Sequence, residues 1–254
     1  MGDWFTVEAV SGDTFAISEY GHWEQAHCYL LCGRTHALLI DAGLGVGDLG
    51  AVVRSITDLP VLAAVTHVHW DHIGGLGSFP QFAVHETERG WLAGHFPLPP
   101  KVVKAQLTAH PCAFPPGFRL QDYRVFQGEP QRLLHDGDLI DLGGRIITAV
   151  HTPGHSPGHC CFYEEARRCL FTGDLIYLGC LDAFYPSTDP LQFWHSVQKI
   201  LRLPADRLLP GHGSLDVQPA LAKRVETAFA GLYQAGRLRQ GAGRFDFGAF
   251  QIRL

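Results

Sequence analysis

Apolar and polar residues alternate about a turn twice near the start of the chain. WFTVEAV and TFAIS flank Ser11-Gly12-Asp13 and read as a hairpin over 4–17; AHCYLLC and THALLID flank Gly33-Arg34 and repeat the pattern over 26–41. DAGLGVGDLG then leads into a helix over 47–57. VLAAVT (61–66) is short and continuously apolar, the mark of a strand covered on both faces. FAVH (82–85) predicts a further strand and HETERGWLAG a short helix. Over 94–130 the periodicity lapses. Pro97, Pro99, Pro100, Pro111, Pro115, Pro116 and Pro130 mark a loop-rich insertion whose length suits a lid or binding loop. Short strands resume in LLHDGDLIDLGG, RIITAV, HCCFYEE and RCLFTGD. DPLQFWHSVQKILRL (189–203) has the spacing of an amphipathic helix, with Ser187 or Thr188 as N-cap and Pro190 in the first turn. RLLPGHG closes the strand series, 217–238 reads as a helix, and the tail FDFGAFQIRL has the partial strand character of an edge strand. Strands and helices mixed in this way predict an α/β (α+β) chain. Two mixed sheets pack together with helices outside, as one domain over 1–254.

Composition narrows the class. At 254 residues, 46% hydrophobic and 18% charged, the chain can bury one sizeable core. A net charge of −5 and a pI of 6.3 argue against a general nucleic-acid or anionic-membrane binder, because phosphate recognition needs a basic field. No apolar run approaches the ~20 residues of a membrane span, so no stable membrane insertion is expected. The seven cysteines are an odd number without a repeating spacing, and MGDWFTVEAVSGD has neither the basic region nor the apolar core of a signal peptide. Both point to reduced thiols in a cytoplasmic protein. Cys28 and Cys32 share a strand face and read as buried apolar groups rather than ligands. MGDWFT also fits the loose acylation pattern at Gly2, against which Asp3 and Trp4 speak. Histidine is the outlier, at 15 residues.

The histidines gather at strand ends. THVHWDH follows VLAAV, HTPGHSPGH follows RIITAV, TGD (172–174) follows RCLF, and PGHG (210–213) follows RLL. Sites in sheets with parallel strands form where such loops converge beyond the carboxyl ends. Four converging loops would unite His67, His69, Asp71, His72, His155, Asp174 and His212. Seven ligands exceed the three, plus water, of one catalytic zinc. With a shared carboxylate they suit two ions ~3.5–4 Å apart with a bridging hydroxide. Gly74 and Gly75 allow the tight turn this needs.

In their order and spacing, HVHWDH, HTPGHSPG, TGD and PGHG resemble the metallo-β-lactamase-fold hydrolases, from about DAGLG at 41 to PGHG at 210. The resemblance implies an αββα sandwich of two mixed β-sheets with helices on the outer faces, and two metal sites. By it, His67, His69 and His155 hold one ion, Asp71, His72 and His212 the other, and Asp174 bridges them. Two zinc ions are expected, with iron or manganese as alternatives. Tyr177 stands where lactonase relatives place a tyrosine beside the metals, and its hydroxyl would polarise a carbonyl or stabilise an oxyanion. FAVHETE, FRLQDYRVFQGEPQRLLHDGDLIDLG and LFTGDLIYLGCLDAFYP are similar to the acyl-CoA thioesterase branch, which hydrolyses long-chain acyl-CoA.

The expected activity is thioester hydrolysis of an acyl-CoA type substrate by attack of the metal-bridging hydroxide. Asp71 would orient the nucleophile and shuttle a proton. A thiolate leaves with little acid assistance, which favours thioesters and activated esters over amides. A lactonase or esterase on the same site is the alternative, and a mono-iron persulfide dioxygenase the rival from another class. Asp41 and His151 are candidates for orienting ligands. Lys101, Lys104, Arg119 and Arg124 are candidates for CoA phosphates, with solvated surface charge the commoner reading. The strand-like tail would either pair with a second subunit as a homodimer or close its own sheet.

Overall fold

Both hairpins form in the computed structural model, which describes residues 4–254; Gly2 and its acylation pattern lie outside the described residues. β1 (Thr6–Ser11) pairs antiparallel with β2 (Thr14–Ser18), β2 with β3 (His27–Cys32), and β3 with β4 (Ala37–Ile40). The sheet then turns parallel. α1 (Leu49–Ile56) carries the chain to β5 (Val61–Ala64), and the short α2 (Trp70–Ile73) lies between it and β6 (Phe82–His85); β5 and β6 each lie parallel to the strand before. α3 (Arg89–Leu92), α4 (Pro100–Leu107) and β7 (Arg132–Leu134) complete a seven-stranded sheet in sequence order. Asp48 caps α1 by accepting from the Ala51 N–H at 2.8 Å. Leu49 and Val53, one helical turn apart, enter a core with Leu30, Leu39, Ala63, Val65 and Val84.

α4 adds a two-turn helix to the loop-rich insertion, which the sequence did not mark. Pro100 sits at N1, where a missing N–H costs nothing. Val103 and Leu107 stack at i, i+4 against Leu44, Trp70 and Tyr123, with Phe114 and Phe118 packed beside them. Two apolar positions in eight residues are too few to show as a period between prolines.

Contacts divide the chain into two compact halves: the first reaches Leu133 and adds Asp141–Arg145, and the second comprises Leu134–Ile140 and Ile146–Leu254. β8 (Leu139–Asp141), β9 (Ile146–His151), β10 (Cys160–Glu164) and β11 (Cys169–Gly173) are followed by β12 (Cys180–Asp182), α5 (Pro190–Ile200), β13 (Arg207–Pro210), α6 (Ala220–Gln234), β14 (Arg244–Asp246) and β15 (Gln251–Arg253). Five of these strands form a sheet in the order β13-β11-β10-β9-β8, with β13 parallel to β11. α5 and α6 stack Phe193 on Phe229, ring centroids 5.0 Å apart. Gly154 is required there, since a Cβ would meet the Phe193 amide nitrogen at 2.2 Å and its φ is +135°.

Two expectations fail in this half. The cap of α5 is Asp189, whose Oδ1 accepts from Leu191 N at 2.9 Å and Gln192 N at 3.0 Å, not Ser187 or Thr188. A carboxylate immediately before Pro190 reaches both free N–H groups. The tail is not a single edge strand either: Phe245 and Asp246 belong to edge strand β14, and Gln251–Arg253 to β15. β15 is the middle strand of a third sheet, β12-β15-β14, so the described residues form three sheets where two were expected. Among the described residues, no helix is long and apolar enough to cross a membrane.

Candidate metal centre

In the first half the site hangs on Asp41, the residue after β4, in the left-handed region at φ +62°. Its buried carboxylate accepts from the Thr66 N–H at 2.6 Å, from the Thr66 hydroxyl and from His72 Nδ1 at 2.9 Å. The last two of these contacts each fix an imidazole tautomer. His72 donates from Nδ1 and presents Nε2, which lies 3.7 Å from Asp71 Oδ2. The Thr66 hydroxyl spends its proton on Asp41 and accepts from His67 Nδ1 at 3.0 Å, so His67 presents Nε2, 3.0 Å from His69 Nδ1. The His67 ring lies 4.4 Å from that of His69 and 4.2 Å from that of His72.

Two further acids brace these loops from below. Glu88 is fully buried and accepts from the Val68 N–H at 2.6 Å, inside HVHWDH. Glu19 is also fully buried; it accepts from Trp4 Nε1 at 2.6 Å and from the Leu44 N–H at 2.8 Å. Burial pushes the Glu19 carboxyl up to about 7. Gly74 passes so close to the Leu44 backbone that a Cβ would meet its carbonyl carbon at 2.3 Å. No other residue fits that crossing.

In the second half the centre is Asp174, just beyond β11. Each of its oxygens faces one imidazole: Oδ2 lies 3.4 Å from His155 Nε2 and Oδ1 lies 3.2 Å from His212 Nε2. His155 donates from Nδ1 to the Asp182 carbonyl at 3.0 Å. The Asp174 N–H donates to His159 Nε2 at 3.1 Å, and His159 Nδ1 in turn donates to the Thr152 hydroxyl at 2.9 Å. Tyr177 is half-buried with its ring 5.7 Å from that of His212, and its hydroxyl donates to the Cys180 carbonyl.

The donor chemistry fits metal. Among the described residues, the side chains able to offer grouped donor atoms are His67, His69, Asp71 and His72 in the first half and His155, Asp174 and His212 in the second. His67, His72 and His155 each give the far ring nitrogen to an oxygen acceptor and keep Nε2 for coordination, as metal-ligating imidazoles do. Imidazole and carboxylate without thiolate suits zinc, iron or manganese.

Asp41 contacts two of the candidate donors, His72 directly and His67 through the Thr66 hydroxyl. His151 Nε2 instead donates to the Pro157 carbonyl at 2.9 Å and braces its own loop. The residue that steadies Asp174 is His159, in the same HTPGHSPGH stretch and fully buried, which sequence reasoning passed over. Glu19 and Glu88 were also missed, because nothing in the sequence marks an acid as buried. Three of the four candidate phosphate contacts have partners within their own segment. Lys104 and Arg124 donate to the Gln121 carbonyl at 2.9 and 2.8 Å, and Arg119 pairs with Asp122 at 3.0 Å.

The family described as the Metallo-beta-lactamase superfamily matches residues 21–212, a span that contains all seven donors. The chain belongs to the metallo-β-lactamase superfamily. It is a metal-dependent hydrolase. Among its superfamily relatives, the acyl-coenzyme A thioesterase MBLAC2 of Gallus gallus is 33% identical over 227 residues, 83% of this chain and 81% of the relative. The acyl-coenzyme A thioesterase MBLAC2 of Homo sapiens is 32% identical over 230 residues, with the same coverage of 83% and 81%. A solved metallo-beta-lactamase family protein of Thermus thermophilus superposes with a TM-score of 0.67 at 22% identity, covering 89% of this chain and 82% of that one. That last likeness is one of fold, and the metallo-β-lactamase fold is the fold of this chain.

Proposed function

We propose that the chain is a dinuclear zinc thioesterase acting on acyl-CoA type substrates. The observation that carries the reading is the 32–33% identity to acyl-coenzyme A thioesterases over 83% of the chain. His67, His69 and His155 would hold one ion and Asp71, His72 and His212 the other, with Asp174 shared. Support comes from the donors themselves: a crowded imidazole set in one half, and an aspartate with an imidazole at each oxygen in the other. When bound, the paired ions make water acidic enough to supply hydroxide near neutral pH and polarise a carbonyl.

The chain's own groups do the rest. Asp71 orients the attacking water and carries its proton toward the departing thiolate. That thiolate needs little help, so no dedicated acid is required. The Tyr177 hydroxyl turns from the Cys180 carbonyl to the oxyanion as the substrate's carbonyl becomes tetrahedral. The 94–130 segment serves as the acyl lid, offering Phe114 and Phe118 beside Trp70, the neighbour of His69 and Asp71. Ester and lactone substrates form the second reading, favoured by Tyr177 beside His212.

The test is free-thiol release by zinc-loaded protein from acyl-CoAs of graded chain length, with His69→Ala as control. Turnover that rises with chain length and vanishes in the variant is expected. No release above the variant's background would remove the thioesterase reading and move esters and lactones to first place.

A further inference from the structure

β12 is three residues long and has a single neighbour in its sheet, β15. Its two ends nevertheless hold two groups of the site. The Cys180 carbonyl accepts from Tyr177, and the Asp182 carbonyl accepts from His155 Nδ1 at 3.0 Å. What keeps those carbonyls in place is the end of the chain. β15 runs parallel to β12, with Gln251 opposite Cys180 and Arg253 opposite Asp182. Gln251 N donates to the Gly179 carbonyl and Ala183 N to the Arg253 carbonyl, both at 2.8 Å. Leu181 and Ile252 are fully buried on the core side. On the other face Arg253 grips Asp182 with both arms, Nε to Oδ1 and Nη2 to Oδ2, each at 2.6 Å. The guanidinium also lies 4.9 Å from the Phe184 ring centroid and donates to the Tyr185 hydroxyl at 3.2 Å. A planar, two-armed contact of this kind fixes the direction of its carboxylate as well as its distance.

We infer that Arg253 is a positioning residue for His155: through Asp182 it fixes the carbonyl that sets the ring's tautomer and direction. The inference rests on the reading of His155 as a metal ligand. A plain structural role would stabilise the small sheet without reaching the imidazole. The same half holds a matched pair that leads to no ligand. Arg168 donates to Asp206 from Nε at 2.6 Å and from Nη2 at 2.8 Å, on an exposed surface.

The experiment compares metal-stripped wild type with Arg253→Ala, Arg253→Lys and Arg168→Lys. Binding is followed by visible absorption during titration with Co2+, and the His155 ring by 15N-histidine NMR before metal is added. Arg253→Ala is expected to weaken Co2+ binding about tenfold, the lower end for losing an outer partner of a ligand. Its His155 Nδ1–H signal should broaden. Arg253→Lys should recover only part of the loss, since an ammonium cannot grip both oxygens in a plane. Arg168→Lys should stay within about twofold of wild type, as a surface pair does. Thermal unfolding separates loss of fold from loss of position. Should Arg253→Ala unfold, Asp182→Asn, which keeps the backbone carbonyl and part of the grip, takes its place. Wild-type affinity together with an unchanged His155 signal in Arg253→Ala would overturn the positioning role and leave the metal reading standing. Absence of Co2+ binding by the wild type would overturn the ligand reading, and the positioning role with it.

Discussion

The two donor clusters are built differently. In the first half four donors crowd into six residues, and buried carboxylates brace the loops: Asp41 under His72 and Thr66, Glu88 under Val68, Glu19 under Leu44. In the second half three donors come from three separate strand ends, and the braces named are neutral: the Asp182 carbonyl for His155, and His159 with Thr152 for Asp174. Placing several imidazoles on one short loop is achieved locally, but each must be turned by a strong acceptor. Placing an aspartate between two imidazoles is achieved by topology, and a backbone carbonyl meets the far nitrogen of the His155 ring. Of the acids beneath the first cluster, Glu19 is the one that burial pushes up to about 7.

The largest expected effect falls on the second cluster. Asp174→Ala removes the carboxylate that faces both His155 and His212, and activity should fall by about three orders of magnitude, as when one member of a cooperating set is lost. Metal content by mass spectrometry of the folded variant should fall with it. Full metal retention would show that the two histidines hold their places without the carboxylate.

Next comes the acid beneath the first cluster. With its carboxyl raised from 4.5 to about 7, Glu19 binds more protons folded than unfolded between those pH values, so stability falls as pH rises through that window. The loss in metal-free protein is at most about 3 kcal/mol, complete above pH ~8. Glu19→Gln should flatten the profile in urea unfolding measured from pH 5 to 8. A profile equally steep in the variant would assign the slope elsewhere.

Asp41→Asn tests the brace rather than the ligand. It keeps the shape but loses the charge that holds His72 and Thr66, so metal affinity should drop about 10- to 100-fold. The contrast with Arg253→Lys sharpens the comparison: a charged brace acting directly should outweigh a neutral one steadied from a distance. Equal losses would erase the distinction between the halves.

Much of this was legible in the sequence where the signal is local. HVHWDH shows its donors at a glance, and His155, Asp174 and His212 show themselves as polar turns after apolar strands. The strands of both main sheets were legible for the same reason. What was not legible depends on partners distant in sequence. β12 and β15 are three-residue strands some seventy positions apart whose pairing no local pattern marks. α4 buries only Val103 and Leu107. His151 and His159 lie in one stretch, and only the loop's path decides which turns toward Asp174. Glu19 and Glu88 look like surface acids until the backbone amides they serve are placed above them.

The smallest effect concerns the helix that carries Phe193 into the second core. Ser187, Thr188 and Asp189 are all capping residue types, and their order alone does not choose among them. The geometry does: Asp189 accepts from two amides of the first turn, while the Thr188 hydroxyl donates to the Tyr185 carbonyl. Asp189→Ala should therefore cost about 1 kcal/mol in chemical unfolding, and Ser187→Ala should cost nothing measurable. Because Asp189 N also donates to the Gly154 carbonyl, one position from His155, the cap lies on the path to a ligand. That bond is made by the backbone and survives the substitution, so metal affinity should not move with stability. A variant that lost both would place α5 among the braces of the second cluster, which would then be steadied by a helix as well as by β15.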